Sequence, residues 1–456
     1  MWRLPFLGNL HQLLGPFPHH TLRDLAQKHG PLFMYLKIGQ VPTIVVSSPE
    51  YAKEVMKTHD ISLASRPKTL VAKTVSYDST DILFAPYGEY WRELRKICFQ
   101  ELLTPSRVKA FQPIREEESF NIVKLVASKV GSLINLSEMT RRLSYNIISR
   151  AAFCNESSDY DEFISIMEEI VKLSGGFAFG DVFPSLSCLD WYTLSKFNYY
   201  KLRASRIVER IIKLHTDQDK EIKSSTKKSG EEEDLVDVLL KFIRNIFGAG
   251  SDTSATTIEW AMAELMRNPR VMKKAQDEVR QVFGEKGLVN ESSINEMKYL
   301  KSVVKETLRL HPPVALLIPR ESREKCEING YEIPTKTRII VNAWAIGRDP
   351  KYWIELESFM PERFVDSSID FKGNNFEYIP FGAGRRICPG ISFALINVEF
   401  PLAFLLYHFD WNLPNGMKNE HLDMTEKFGI TICRKKDLYV IPSKYDPPSM
   451  VKAQKI

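Results

Sequence analysis

Along most of this chain apolar residues recur at three- and four-residue spacing, and they gather into short strand-like runs only near Leu32, after Lys325 and after Phe428. Residues three and four apart share one face of a helix, so this spacing predicts long amphipathic helices over Val108–Lys129, Asp161–Lys172, Tyr199–Ile222, Ile258–Phe283 and Tyr299–Leu310. Ile391–Phe409 is apolar nearly all round, which predicts a helix sunk in a core. Leu32–Ile38 and Thr43–Ser47, split by Gly39 and Pro42, predict paired strands. Lys325–Val341, with Asn329-Gly330 as a hairpin turn, and Phe428–Val440 predict more. The fold class is mainly α with a minor β-sheet region drawn from both ends of the chain.

Composition narrows the class. The 456 residues are 44% hydrophobic and 26% charged, which supplies a sizeable core and excludes a disordered or fibrous chain. The net charge of +5 is interspersed rather than blocked, so no nucleic-acid partner is predicted. Six cysteines, at 98, 154, 188, 326, 388 and 433, form no Cys-x-x-Cys pair and no dense framework, as in a reducing compartment. No run reaches the roughly eighteen uninterrupted apolar residues of a membrane span. Lys223–Asp234, polar and charged throughout, predicts a surface linker.

The chemistry concentrates in Phe381-Gly-Ala-Gly-Arg-Arg-Ile-Cys-Pro-Gly390. Cys388 sits in a glycine-rich turn at the start of the apolar helix, where the dipole and free amides favour a negative sulfur and hence a metal-bound thiolate. Pro389 suits a first helical position. Gly384 and Gly390 would let the backbone press against a flat ligand. Arg386 suits a carboxylate, and Phe381 can pack on the sulfur side. Read alone, Cys388 is equally a buried structural cysteine. With Phe381, Gly384, Arg386, Cys388 and Gly390 at all five signature positions, however, the segment resembles the cysteine-ligand loop of the cytochrome P450 family. The resemblance covers essentially the whole chain. It implies a single domain over 1–456, with β-containing parts near 30–48, 325–342 and 428–441, and haem b (iron protoporphyrin IX) held axially by Cys388.

Other motifs acquire meaning beside that loop. Glu306 and Arg309 lie three apart on a helix and alone read as a surface ion pair; the family joins them to an arginine in Pro361-Glu-Arg-Phe364, here Arg363, as a buried structural triad. Trp91 and Arg95, four apart, place an indole donor and a guanidinium on one face. Alone they read as a core tryptophan beside a surface arginine; the resemblance turns them, with Arg320 and Arg386, towards the haem propionates. Ala249-Gly-Ser-Asp-Thr-Ser254 resembles the family's oxygen-side helix pattern, which implies that Gly250 leaves room for dioxygen while Asp252 and Thr253 deliver protons to it. Their bland reading is a helix start. The family's pocket segments carry over to Ile82, Phe84, Ala249, Val314, Leu317, Phe428 and Ile430, nearly all apolar, which selects a lipophilic substrate.

The activity implied is haem-thiolate monooxygenation of a small lipophilic plant metabolite, with a lean towards terpenoid hydroxylation. It needs O2 and electrons from an NADPH-cytochrome reductase, a flavoprotein; Arg92, Lys96 and Arg385 could offer it a docking face. Relatives are anchored in the endoplasmic reticulum membrane, facing the cytosol. The anchor is missing here, so this form is predicted to be soluble and a monomer. One departure stands out: only Ile243–Gly248 separate the helical pattern of Asp234–Phe242 from the oxygen-side motif, so the central helix is predicted to be shortened by one or two dozen residues. Three alternatives follow: a haem-binding but catalytically impaired variant, a haem-dependent isomerase or dehydratase without reductase, and a cysteine hydrolase.

Overall fold

A computed structural model describes residues 2–30, 33–74, 76, 78–153, 160–174, 178–222, 232–286 and 290–445. Ten helices carry the architecture: α1 (Pro18–His29), α2 (Glu89–Glu101), α3 (Gln112–Ala127), α4 (Leu136–Phe153), α5 (Tyr160–Ser174), α6 (Trp191–Ile222), α7 (Glu232–Arg267), α8 (Pro269–Lys286), α9 (Lys298–Leu310) and α10 (Ile391–His408). Local chemistry explains their ends. Pro18 opens α1, and Gly30, at φ +82°, closes it by donating to the Ala26 carbonyl. The α9 amides of Tyr299 and Leu300 are capped from outside by the Glu278 carboxylate of α8, both at 2.8 Å.

Several predicted boundaries move for identifiable reasons. The Val108–Lys129 stretch is two helices, because the chain kinks at Phe111 between Pro105–Ala110 and α3. Ile258–Phe283 is also two: Pro269 has no amide hydrogen to continue α7, and Asn268 turns its side chain back onto the Glu264 carbonyl at 2.8 Å. The predicted linker lies mostly outside the described residues. α7 runs 36 residues without a break, about 54 Å at the α-helical rise, so the predicted shortage of residues does not show as a short helix. With no long connection between them, the 234–242 segment and the oxygen-side motif continue along one axis.

The strands form four small sheets rather than one. They are β1 (Phe33–Ile38), β2 (Val41–Val46), β3 (Ile134–Asn135), β4 (Arg320–Glu321), β5 (Cys326–Ile328), β6 (Tyr331–Ile333), β7 (Arg338–Val341), β8 (Phe409–Asn412), β9 (Glu426–Lys427), β10 (Cys433–Arg434) and β11 (Tyr439–Lys444). The main sheet has the order β1-β2-β7-β4, with β2 and β7 parallel and Thr43 opposite Arg338. A second has the order β3-β11-β8. Asn329 and Gly330, both left-handed at φ +49° and +79°, turn β5 into β6 as their dipeptide predicts. Residues 428–432 are not a strand but the turn between β9 and β10.

The largest core cluster joins α3, α4, α7, α8, α9 and α10. Among the described residues α10 is the one helix long and apolar enough to cross a membrane, yet most of it is inside this core. Beneath it Glu306 and Arg309, both essentially inaccessible, meet through two hydrogen bonds of 2.7 and 2.8 Å. Arg363 Nε reaches the same carboxylate at 3.2 Å. Arg309 also donates to the carbonyls of Gly347, Leu356 and Ser358, so every charge in the cluster is satisfied.

Candidate functional site

Between α7 on one side and the 381–390 loop on the other lies a cavity of about 360 Å³. Of the sequence-predicted residues it gathers Cys388, Trp91, Arg95, Arg320, Phe381, Arg386, Gly390, Thr253, Ile82, Phe84, Ala249, Val314, Leu317 and Ile430. The loop is pinned by two backbone bonds, from Cys388 to the Phe381 carbonyl and from Ile387 to the Gly384 carbonyl, both 3.0 Å. Gly390 is the N-cap of α10 and Pro389 precedes the helix, so proline shapes the approach rather than the first turn. Burial pushes the Cys388 thiol up, against the opposing pull of the Gly390 amide and Arg95. A bonded metal ion would take that proton off.

Positive charge is in excess around this cavity. Arg95 Nη2 donates to the Ile387 carbonyl at 2.8 Å, and Arg386 donates to the carbonyls of Ala64 and Ala85 at 2.8 and 2.6 Å. Arg320 pairs with Asp60 at 2.7 Å. A fourth guanidinium, Arg66, lines the same wall; among the described residues it donates to the carbonyls of Leu83, Ile318 and Pro319. Burial, then Arg320 and Arg95, push Arg386 down to about 9, and burial, Arg386 and Arg320 lower Arg66 as well. A guanidinium does not give up its proton in a protein, so this downward push expresses how strongly the site favours an anion. Against four arginines stand two aspartates, Asp60 and Asp81, and burial pushes Asp81 towards its neutral form. The surplus suits a flat ligand carrying two carboxylates, which is the edge of haem b.

Four expectations need correction. Gly384 has φ +68°, and a Cβ there would lie 2.0 Å from the Met56 carbonyl oxygen. Its small size serves the packing of the loop on residues 56–60, not contact with a ligand. Phe428 is outside the cavity, packed with Ala315, Trp344 and Ile432 and stacked on His19. Trp91 directs its indole hydrogen to the Ile82 carbonyl at 3.0 Å. Asp252 does not line the cavity; its carboxyl lies near Thr431, and burial raises it above the usual carboxylate range. Gly250 does line the wall, but a Cβ there would press on Ile148 of α4 at 3.0 Å, so it also permits close helix packing.

Asp60, Arg66 and Thr431 were not found from the sequence. No motif marks them, because each acts on partners far away in the chain. Asp60 joins Arg320 and the Arg385 amide, the latter at 2.7 Å; Arg66 joins residues 83 and 318–319.

Residues 2–440 match the family described as Cytochrome P450. The chain is 53% identical to cytochrome P450 71D11 of Lotus japonicus, across 98% of this chain and 94% of that one. It is 51% identical to tabersonine 16-hydroxylase 2 of Catharanthus roseus and 47% identical to premnaspirodiene oxygenase of Hyoscyamus muticus, each across 98% of this chain and 92% of the relative. The Lotus alignment runs over 470 positions, more than this chain has residues, so the relative carries residues where this chain has none. A solved zebrafish cytochrome P450 structure with abiraterone shares the fold, with a TM-score of 0.79 at 24% identity over 94% of this chain and all of that one. The chain belongs to the cytochrome P450 family: a haem-thiolate oxidoreductase that incorporates molecular oxygen.

Proposed function

We propose that this chain inserts one oxygen atom into a small lipophilic plant metabolite of specialised metabolism, a terpenoid or an alkaloid, with terpenoid hydroxylation favoured. The carrying observation is the cavity itself, whose wall combines a thiol and four arginines with Ile82, Phe84, Ala249, Val314, Leu317 and Ile430. Two similar plant proteins are named for oxidising metabolites, tabersonine 16-hydroxylase and premnaspirodiene oxygenase, which supports the class. When bound, haem supplies the activation of dioxygen.

The chain's own residues do the rest. Cys388 would hold the metal, and Arg66, Arg95, Arg320 and Arg386 would fix the ligand's carboxylates with charge-assisted bonds. The apolar wall excludes water and holds a carbon–hydrogen bond in place. Asp252, biased by burial to keep its proton, lies near Thr431, whose hydroxyl would carry protons from it to the cavity that Thr431 lines. Thr253 Oγ1 donates to the Ala249 carbonyl at 2.6 Å, which keeps its hydroxyl on the cavity side of α7. Electrons would come from an NADPH-dependent flavoprotein reductase, met by exposed Arg92, Lys96 and Arg385. Attachment to the endoplasmic reticulum is proposed from the family alone.

The decisive experiment is the absorption spectrum of the reduced protein with carbon monoxide. A strongly red-shifted Soret band that Cys388→His abolishes supports the thiolate; its persistence in the variant overturns the ligand assignment. Turnover with reductase, NADPH and a terpenoid panel then tests the substrate class, and oxidation of none of them removes the favoured reading.

A further inference from the structure

A second constellation lies away from the haem-sized cavity, where α1 meets β9. His19 Nε2 is 2.8 Å and His20 Nε2 is 3.1 Å from the same oxygen, Glu426 Oε2. All three ligand atoms lie within 4.8 Å of one another. The site is built rather than incidental. The His19 side chain is inaccessible and that of Glu426 is 10% exposed. The two rings are perpendicular at 4.4 Å, with Trp344 stacked on His20 at 4.1 Å and Phe428 on His19 at 5.9 Å. Packing on both sides fixes the imidazole orientations before any ligand arrives.

An independent observation comes from the other side of the same space. His20 and Glu426 open onto a cavity of about 490 Å³ whose wall also carries His311. His311 is only 8% exposed; its Nε2 is 2.8 Å from Glu264, and its Nδ1 has no hydrogen-bond partner among the described residues. A carboxylate accepts, so Nε2 carries the proton and Nδ1 presents a lone pair. A carboxylate fixing the tautomer of an imidazole in this way is the usual support behind a metal-bound histidine. The nearby Arg348 is offset by Glu357 at 3.0 Å.

We propose that His19 and His20 through Nε2, and Glu426 through one carboxylate oxygen, bind a single zinc-like divalent metal ion, with a fourth position facing the cavity and His311 Nδ1. Zinc takes imidazole nitrogen at about 2.0–2.1 Å and carboxylate oxygen at about 2.0–2.2 Å. Tetrahedral ligands at those lengths stand a little over 3 Å apart, close to the 2.8 and 3.1 Å that separate the two nitrogens from the carboxylate oxygen here. The ion would replace two shared hydrogen bonds by a clamp joining positions 407 residues apart, which ties the first helix to the C-terminal hairpin.

The test uses the haem-loaded full-length protein after chelator treatment. Calorimetric titration with zinc should show one equivalent bound at micromolar or better affinity, with an upward shift in melting temperature. His20→Ala and Glu426→Gln should each weaken binding at least tenfold and remove the shift, while the haem spectrum stays unchanged. Cobalt(II) gives a reading that needs no variant: intense visible bands report a tetrahedral nitrogen–oxygen site. An aqueous-type cobalt spectrum, or equal zinc binding by the wild type and the His20→Ala, Glu426→Gln double variant, overturns the proposal. None of these readings depends on oxygenase activity.

Discussion

Asp60 and Arg320, 260 residues apart in sequence, meet in a buried ion pair of 2.7 Å, and the second carboxylate oxygen of Asp60 accepts the Arg385 amide at the same distance. One side chain thus sets both a cationic wall of the cavity and the backbone three residues before Cys388. Removing one partner of a buried pair costs about 3–5 kcal/mol, because the other charge is left uncompensated. Asp60→Asn is therefore expected to lower the melting temperature and to speed haem loss to a scavenger such as apomyoglobin. Unchanged melting and haem retention together would show that the loop is held by other contacts.

Two glycines of the same loop should respond in opposite ways. At Gly384 the left-handed backbone costs an L-residue about 1–2 kcal/mol. Overlap of the new methyl with the Met56 carbonyl adds about 1–3 kcal/mol, since a backbone oxygen cannot swing aside. At Gly390, with φ −92°, a Cβ would make only ordinary contact with Cys388 Sγ at 3.9 Å. Gly384→Ala should lose stability and haem, whereas Gly390→Ala should melt near the wild type and alter only the Soret band. Thermal melts read beside the absorption spectra separate the two, and equal melting would refute the assigned roles.

This contrast shows where sequence reading stops. The helical classes, the hairpin at Asn329-Gly330 and the Glu306–Arg309–Arg363 cluster were legible because their signals are short-range or repeat a known pattern. Which way a side chain faces was less so. Gly384 and Phe428 stand in the right segments, but the backbone points one at Met56 and carries the other past the cavity to Trp344. That the 234–242 segment and the oxygen-side motif share one helix was not legible, because the sequence shows residues wanting between them but not how the two ends join. Asp60, Arg66 and Thr431 leave no sequence signal, since their partners come together only in the folded chain.

Glu399, on α10, gives a pH test. Burial, only partly opposed by Lys301 and Lys305, raises its carboxyl from 4.5 to about 7. The folded protein then holds a proton that the unfolded chain releases between pH 4.5 and 7, so stability falls across that window as pH rises. At 1.36 kcal/mol per unit the loss is on the order of 3 kcal/mol. Glu399→Gln should flatten the melting-temperature profile between pH 4.5 and 7 and melt above the wild type at pH 8. Parallel profiles for the two proteins would rule out Glu399 as the source.

Proton delivery to the cavity has two candidate routes. A direct path from Asp252 to Thr253 would follow α7, yet the Asp252 carboxyl also lies near Thr431, which comes from the turn between β9 and β10 and lines the cavity. Its buried position keeps the carboxyl biased towards the protonated form, as a proton donor requires. If protons pass from Asp252 through the Thr431 hydroxyl, Asp252→Asn and Thr431→Val break the same chain. General acid catalysis contributes about 10²–10⁴-fold, so each variant should lower product formation by at least about 10². The double variant should be hardly worse than either single one, because groups acting as a unit are not additive. NADPH consumption should fall less than product, since electrons still arrive when protons do not. Stopped assays of product against NADPH, run with Thr253→Ala beside them, decide between the routes. A normal Thr431→Val together with a crippled Thr253→Ala would return the relay to α7.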